Sequence, residues 1–150
     1  MAHYVTTVET GWDPAATYAY LAEFSNVGEW DPGVRSARSL SDDPLATGAR
    51  FEVVVSAMGR DTPLTYETIS SEPPRRVVLR AESATLVSLD ALRFEPLPDG
   101  GTAVTYEADL RLKGLLRAFD PILRLAFGRI GDAARDGLAA RLAEPPPSSA

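Results

Sequence analysis

Asp90, Ser88, Tyr66 and Tyr106 are the side chains of this sequence best suited to handle a proton or a carbonyl group. A carboxyl group beside phenols and a hydroxyl can polarise, protonate or hydrogen-bond a keto or hydroxyl function. Each stands in an alternating segment, so register decides whether it faces an interior. In "AVTYEADLRLK" Val104, Tyr106, Ala108, Leu110 and Leu112 share one face, and Thr105, Glu107, Asp109, Arg111 and Lys113 share the other. Tyr106 then points inward, where its hydroxyl needs a partner. In "LVSLDALRF", counting back from Phe94 and Leu92 brings Asp90 and Ser88 inward. Asp90 would there need a cation or a hydroxyl, or would keep its proton at a raised pKa. A bulge would instead turn Val87 and Leu89 inward and Asp90 to solvent. That second register is favoured, because Val87, Leu89 and Ala91 would otherwise form an exposed apolar row. Tyr66 can face either way, and Arg80 is read as a surface residue, the alternative being the inward partner of an acid. Asp90 and Tyr106 are the candidate catalytic residues.

What the sequence lacks excludes much other chemistry. It has no cysteine, hence no disulfide, thiolate metal site or cysteine nucleophile, and its one histidine is His3. A histidine metal cluster is excluded, and His3 reads as a half-exposed residue of a first strand rather than a triad member. Neither a metal nor a cofactor is expected. A net charge of −6 argues against nucleic acid, which calls for a cationic stripe. No Gly-x-Gly-x-x-Gly or Walker-type loop occurs. No apolar run is long enough to span a bilayer, and "MAHYVTTVE" has no basic-then-apolar leader. A cytoplasmic protein with no stable membrane insertion is expected.

The elements that must hold the candidates follow from period and punctuation. "HYVTTVET" reads as a strand. In "WDPAATYAYLAEF" Asp13 can cap a helix, Pro14 suits its first turn, and Tyr18 and Leu21 share a face. "NVGEW" reads as a second short helical turn ending before Pro32, and "GVRSARSL" as a modest strand anchored by Val34 and Leu40. A long β region follows, with Phe51, Val53 and Val55 on one face, Pro73-Pro74 as a stop and a hairpin at Asp99-Gly100-Gly101. From Asp120, read as a cap, and Pro121 the period becomes helical. Leu123, Phe127, Ile130, Ala134, Leu138 and Leu142 form its apolar stripe. Gly128, Gly131 and Gly137 cost that helix roughly 0.8–1 kcal/mol each. Either the helix touches the sheet closely there or room is left beneath it. Residues 1–143 read as one domain and "EPPPSSA", 144–150, as a disordered tail.

The order strand, two short helices, six strands and a long helix resembles the START-like (SRPBCC) superfamily, specifically its polyketide cyclase/dehydrase-type members. The resemblance rests on "DPAATYAYLAEFSNVGEWDPGV", "EPPRRVVLRAES", "FEPLPDGGTAVTYEADLRLKG" and "DPILRLAFGRIGDAARDGLAARL", and spans residues 3 to 142. It implies an α+β helix-grip: a seven-stranded curved antiparallel sheet wrapped around the C-terminal helix, with a pocket between them. Members of that superfamily bind lipids, polyketides, hormones or other hydrophobic molecules, and some catalyse cyclisation or dehydration, with no single catalytic motif to carry over. Here such a pocket would be lined by Trp30, Phe51, Val53, Val55, Tyr66, Ser88, Asp90, Leu92, Tyr106, Ala108, Leu110, Leu123, Phe127 and Ile130. Trp30 is expected to anchor the short helices near its mouth.

The leading expectation is binding or transport of a hydrophobic small molecule by a monomer or homodimer. A cyclase/dehydrase-type enzyme using Asp90 or Tyr106 is the alternative. A third reading is a protein-interaction module built on the row Val87, Leu89 and Ala91.

Overall fold

Asp13 and Pro14 open the first helix as their types require: the Asp13 carboxylate accepts from the Ala16 N–H at 2.7 Å, and Pro14 sits where no N–H is needed. In the computed structural model, which describes residues 2–57 and 59–147, this helix, α1 (Pro14–Ala22), follows strand β1 (Ala2–Thr10). Residues 148–150 of the expected tail lie outside the described residues. A 3-10 turn at Phe24–Asn26 leads into α2 (Val27–Trp30), a single turn ending before Pro32. Six strands come next: β2 (Val34–Ser39), β3 (Arg50–Ala57), β4 (Arg60–Glu72), β5 (Arg76–Glu82), β6 (Leu86–Pro96) and β7 (Thr102–Leu112). A 3-10 segment, Gly114–Phe119, joins β7 to the long helix α3 (Asp120–Leu142).

The strands form one antiparallel sheet in the order β1-β7-β6-β5-β4-β3-β2. Consecutive strands are neighbours from β2 to β7, and the first strand closes onto the last. The β6–β7 hairpin turns at Gly100, with φ of 91°, while the Asp99 carboxylate accepts from the Gly101 N–H at 2.9 Å. One face of the sheet is packed and the other wet. On the packed face Leu79, Leu92 and Val104 are fully buried beneath α1, α2 and α3.

The long helix is docked unevenly. At its C-terminal end the Thr10 hydroxyl donates to the Leu142 carbonyl at 2.8 Å, and the Trp12 indole N–H donates to the Glu144 carbonyl at 2.8 Å. The Arg141 guanidinium lies over the rings of Trp12 and Tyr20, 5.2 and 4.8 Å from their centroids. Gly131, Ala134, Leu138 and Leu142 are buried, whereas Leu123 and Phe127 are only half-buried.

Three local expectations need correction. Asp120 is the first residue of α3 and not its cap; Phe119 holds the cap position, and no side chain caps the helix. The preceding 3-10 segment already runs into the helix, so the first turn is entered from helical backbone. Leu40 anchors nothing: β2 ends at Ser39, and Leu40 is exposed. β6 carries no bulge, since it pairs in unbroken register with β5 and β7. The bulges fall on other strands, between Thr68 and Ser70 of β4 and between Val34 and Ser36 of β2.

Candidate functional site

With β6 in regular register, Asp90 and Ser88 turn inward and Val87, Leu89 and Ala91 turn outward. That outward row is half-buried rather than bare. Val87 lies between Glu82 and Arg111, and Leu89 between Arg80 and Asp109. The aliphatic stems of such neighbours cover apolar surface while their heads stay in water. The cost that favoured a bulge is therefore already met. Arg80 belongs to the same outer face, where it pairs with Glu82 at 2.9 Å. His3 is also on the outer face, bonded to Asp109 at 2.5 Å, so it takes no part in the interior.

Two adjacent rungs of the packed face carry the polar side chains. One runs Tyr66, Ala81, Ser88, Leu110 across β4 to β7. Ala81 is small, so the Tyr66 ring reaches over it and its hydroxyl meets the Ser88 hydroxyl at 2.8 Å. The next rung runs Thr68, Leu79, Asp90, Ala108. The Tyr106 hydroxyl, from the rung beyond, donates to Asp90 Oδ2 at 3.2 Å. Small Ala108 leaves the carboxyl uncovered on that side. Tyr66, Ser88, Asp90, Tyr106 and Ala108 keep 6–7 % exposure, while Leu79, Leu92 and Val104 keep none. Space large enough for a solvent molecule thus adjoins the polar cluster and not the core beside it.

Burial dominates the electrostatics. It pushes the Asp90 carboxyl up to about 7, against hydrogen bonds from Tyr106 and Ser88 that favour the ionised form. The charges of Asp31 and Asp109 add to the upward shift. Tyr66 and Tyr106 are raised by burial and then by Asp90, so both stay protonated and serve as donors. Asp31 is a further acid of this region. Burial raises it, and its carboxylate accepts from the Gly33 N–H at 2.8 Å. Standing between Trp30 and Pro32, it reads in sequence as a turn former; only the folded chain brings its charge near Asp90.

Trp30 walls the cluster. Its ring meets Tyr106 edge-to-face, with centroids 5.7 Å apart at 83°. The Trp30 carbonyl lies against α3 so tightly that a Cβ on Gly137 would fall 1.9 Å from it. A Cβ on Gly131 would fall 2.4 Å from the Tyr4 ring, yet one on Gly128 would meet nothing within 4 Å. Close approach explains two of the three glycines, and open space surrounds the third. Phe24, not singled out from the sequence, packs its ring 5.0 Å from that of Tyr66.

The remaining sequence candidates divide by position. Phe51, Val53 and Leu92 are sealed in the core. Val55, Leu110, Leu123 and Phe127 are half-buried around the end of the grip where α3 begins. Ile130 is 42 % exposed and leans off the packed face. Two surface clefts lie elsewhere: one of about 410 Å³ beside Trp12, Leu142 and Pro145, and one of about 220 Å³ on the outer face beside Arg50, Glu67 and Arg80. Neither is lined by the Asp90 cluster. Among the described residues no group of three or more His, Cys, Asp or Glu is placed to hold a metal ion, and no helix is long and apolar enough to cross a membrane.

Comparison with solved structures places this architecture among START-like folds. A START superfamily protein from Mycobacterium smegmatis matches with a TM-score of 0.77 at 13 % identity, over 95 % of this chain and 97 % of the other. The ZhuI aromatase/cyclase from Streptomyces sp. R1128 matches with a TM-score of 0.73 at 12 % identity, over 93 % and 90 %. BexL, a di-domain aromatase/cyclase of the BE-7585A biosynthetic pathway, matches with a TM-score of 0.71 at 16 % identity, over 96 % of this chain and 50 % of that one. At these identities the likeness is one of fold. No curated protein matches the sequence. The family model described as "Polyketide cyclase / dehydrase and lipid transport" matches residues 1–143. The chain belongs to that polyketide cyclase/dehydrase and lipid transport family, built on a START-like helix-grip.

Proposed function

We propose that the protein binds an apolar small molecule bearing a carbonyl or hydroxyl group, held between the sheet and the N-terminal half of α3. The uneven seating of α3 carries this reading. Its C-terminal half is bolted to β1 and α2, while its N-terminal half leaves Leu123 and Phe127 half-buried and Gly128 over open space. Beneath it lies a packed face that is apolar except for Tyr66, Thr68, Ser88, Asp90 and Tyr106, the composition usual for small-molecule sites. Neither of the two clefts is lined by this cluster; in this reading the N-terminal half of α3 swings outward to admit the ligand. Weakly packed elements are the ones that open at least cost.

In this reading the neutral Asp90 carboxyl donates to the Tyr106 oxygen when ligand is bound, which frees the Tyr106 O–H to donate to the ligand oxygen. The Thr68 hydroxyl, across Leu79 from Asp90, is buried without a hydrogen-bond partner among the described residues and offers a further anchor. Calorimetric titration with naphthalene and a naphthol tests the assignment. Wild type should bind both, and Tyr106→Phe should weaken naphthol about five- to tenfold, the worth of one neutral hydrogen bond, while leaving naphthalene unchanged. No binding of either ligand by wild type, or equal naphthol affinity in the variant, sinks the reading. Native mass spectrometry of protein purified from its own host would identify the resident molecule.

A second reading, cyclase/dehydrase-type acid–base catalysis, is favoured by one observation. A carboxyl raised to about 7 is shared between acid and base forms near neutral pH. Under that reading Asp90→Asn binds a poly-keto substrate and fails to turn it over. Under binding alone there is no turnover to lose.

A further inference from the structure

The segment from Arg111 to Ile130 combines two properties, large exposed apolar side chains and an excess of cations. Leu115 is 96 % exposed, Leu125 80 % and Ile122 58 %, with Phe119 exposed beside them. On a helix, Leu123, Phe127, Ala134 and Leu138 define the face toward the sheet. Ile122 and Leu125 then project to the opposite side. These side chains point away from the Asp90 cluster, so lining a pocket in the grip does not account for them.

Charge supplies the second property. Along the sequence the same stretch holds Arg111, Lys113, Arg117, Arg124 and Arg129 against one acid, Asp120, in a chain of net −6; Arg111 belongs to the outer face of the sheet, and Arg117, Arg124 and Arg129 stand among the apolar side chains. Lys113 already pairs with Glu82. Outward Leu, Ile and Phe side chains set among arginines are the composition of an interfacial segment, which sinks its apolar face into the headgroup layer while its cations meet anionic lipid. A second copy meeting this one patch to patch would set one basic stretch against another, and that repulsion opposes a symmetric dimer. The acidic remainder also opposes flat, non-specific adsorption by any other side, which orients docking through this one.

We propose that the Gly114–Phe119 segment and the outward face of α3 dock reversibly on an anionic lipid surface. The half-buried end of the grip around Leu110, Leu123 and Phe127 lies beside this patch, so a docked molecule presents that end to the lipid. The inference does not rest on the ligand reading above, because it uses none of the residues of the polar cluster.

Flotation with large unilamellar vesicles tests it. Wild type should float with phosphatidylcholine vesicles containing about one-third phosphatidylglycerol and not with pure phosphatidylcholine, and raised salt should release it. Leu115→Glu and Leu125→Glu, both at exposed positions, should abolish flotation with unchanged circular dichroism. Arg117→Glu should weaken it more than about fivefold, since it removes one cation and adds an anion. Asp90→Asn should float as wild type does, which separates this surface from the interior. Absence of flotation at low salt overturns the proposal. So does a wild type that runs as a dimer split by Leu125→Glu, because a second copy would then cover the patch.

Discussion

Asp90→Asn should make the protein more stable than wild type at about pH 8, by on the order of 4 kcal/mol, and leave it nearly unchanged at about pH 4. The sign follows from where the proton sits. The carboxyl titrates near 3.8 when solvated and at about 7 in the folded chain. Below the lower value both states carry the proton. Between the two values only the folded state does, so stability falls by about 1.4 kcal/mol for each unit of rising pH. Above the folded value both states are ionised and the loss is constant. Asparagine is always neutral, can accept from Tyr106 through its oxygen and can donate to Ser88 through its amide, so it keeps the contacts without the buried charge.

Denaturant unfolding of both proteins across this pH range measures the effect. The difference between wild type and variant is the informative quantity, since groups that do not feel Asp90 cancel in it. His3 and Asp31 are both raised in the fold, and each also lowers stability as pH rises through its range. Glu82, held low by Lys113 and Arg80, acts oppositely: its contribution is present above the ordinary carboxylate value and is lost on acidification. A stability difference flat in pH would mean that Asp90 ionises as freely as a solvated carboxylate, and the account of a buried acid on the packed face would fall.

Asp90 also shows which parts of this molecule can be read along the chain. β7 alternates cleanly, and the face assigned to Tyr106 from that alternation is the buried one. Asp13 with Pro14, and Asp99 with the two glycines, act through neighbours within a few residues, so their roles are local and legible. The facing of Asp90 depended instead on what covers Val87 and Leu89, and those covers stand on β5 and β7. Alternation alone could not weigh Arg80 or Arg111 as covers before the pairing was known. Asp31 is less legible still. Its local role is a turn with Gly33, and its nearness to Asp90 arises only when α2 folds across the sheet. The stripe on α3 reads correctly from Ala134 to Leu142. It fails at Ile130, which stands at the edge of the buried face drawn by Gly131, Ala134, Leu138 and Leu142, a departure the apolar stripe alone does not encode.

The three glycines of α3 turn that departure into the second large effect. Gly128→Ala should raise stability by about 0.8–1 kcal/mol, because alanine is the better helix former and its methyl enters open space. Gly137→Ala should lower stability by about 2 kcal/mol despite the same helical gain. Its methyl would lie 1.9 Å from the Trp30 carbonyl oxygen and 3.3 Å from Pro32 Cδ, both held by the chain entering β2 rather than by a flexible side chain. Overpacking of that kind costs about 1–3 kcal/mol or more, outweighing helix propensity. Thermal melts of the two variants should therefore move in opposite directions. Tryptophan fluorescence adds a second reading: only Gly137→Ala should alter it, since only there does the strain pass to Trp30 and its contact with Tyr106. If both variants were stabilised alike, α3 would not be seated on the Trp30 backbone. The C-terminal half would then stand as free as the N-terminal half, and the hinge-like asymmetry that leaves the packed face open on one side only would be lost.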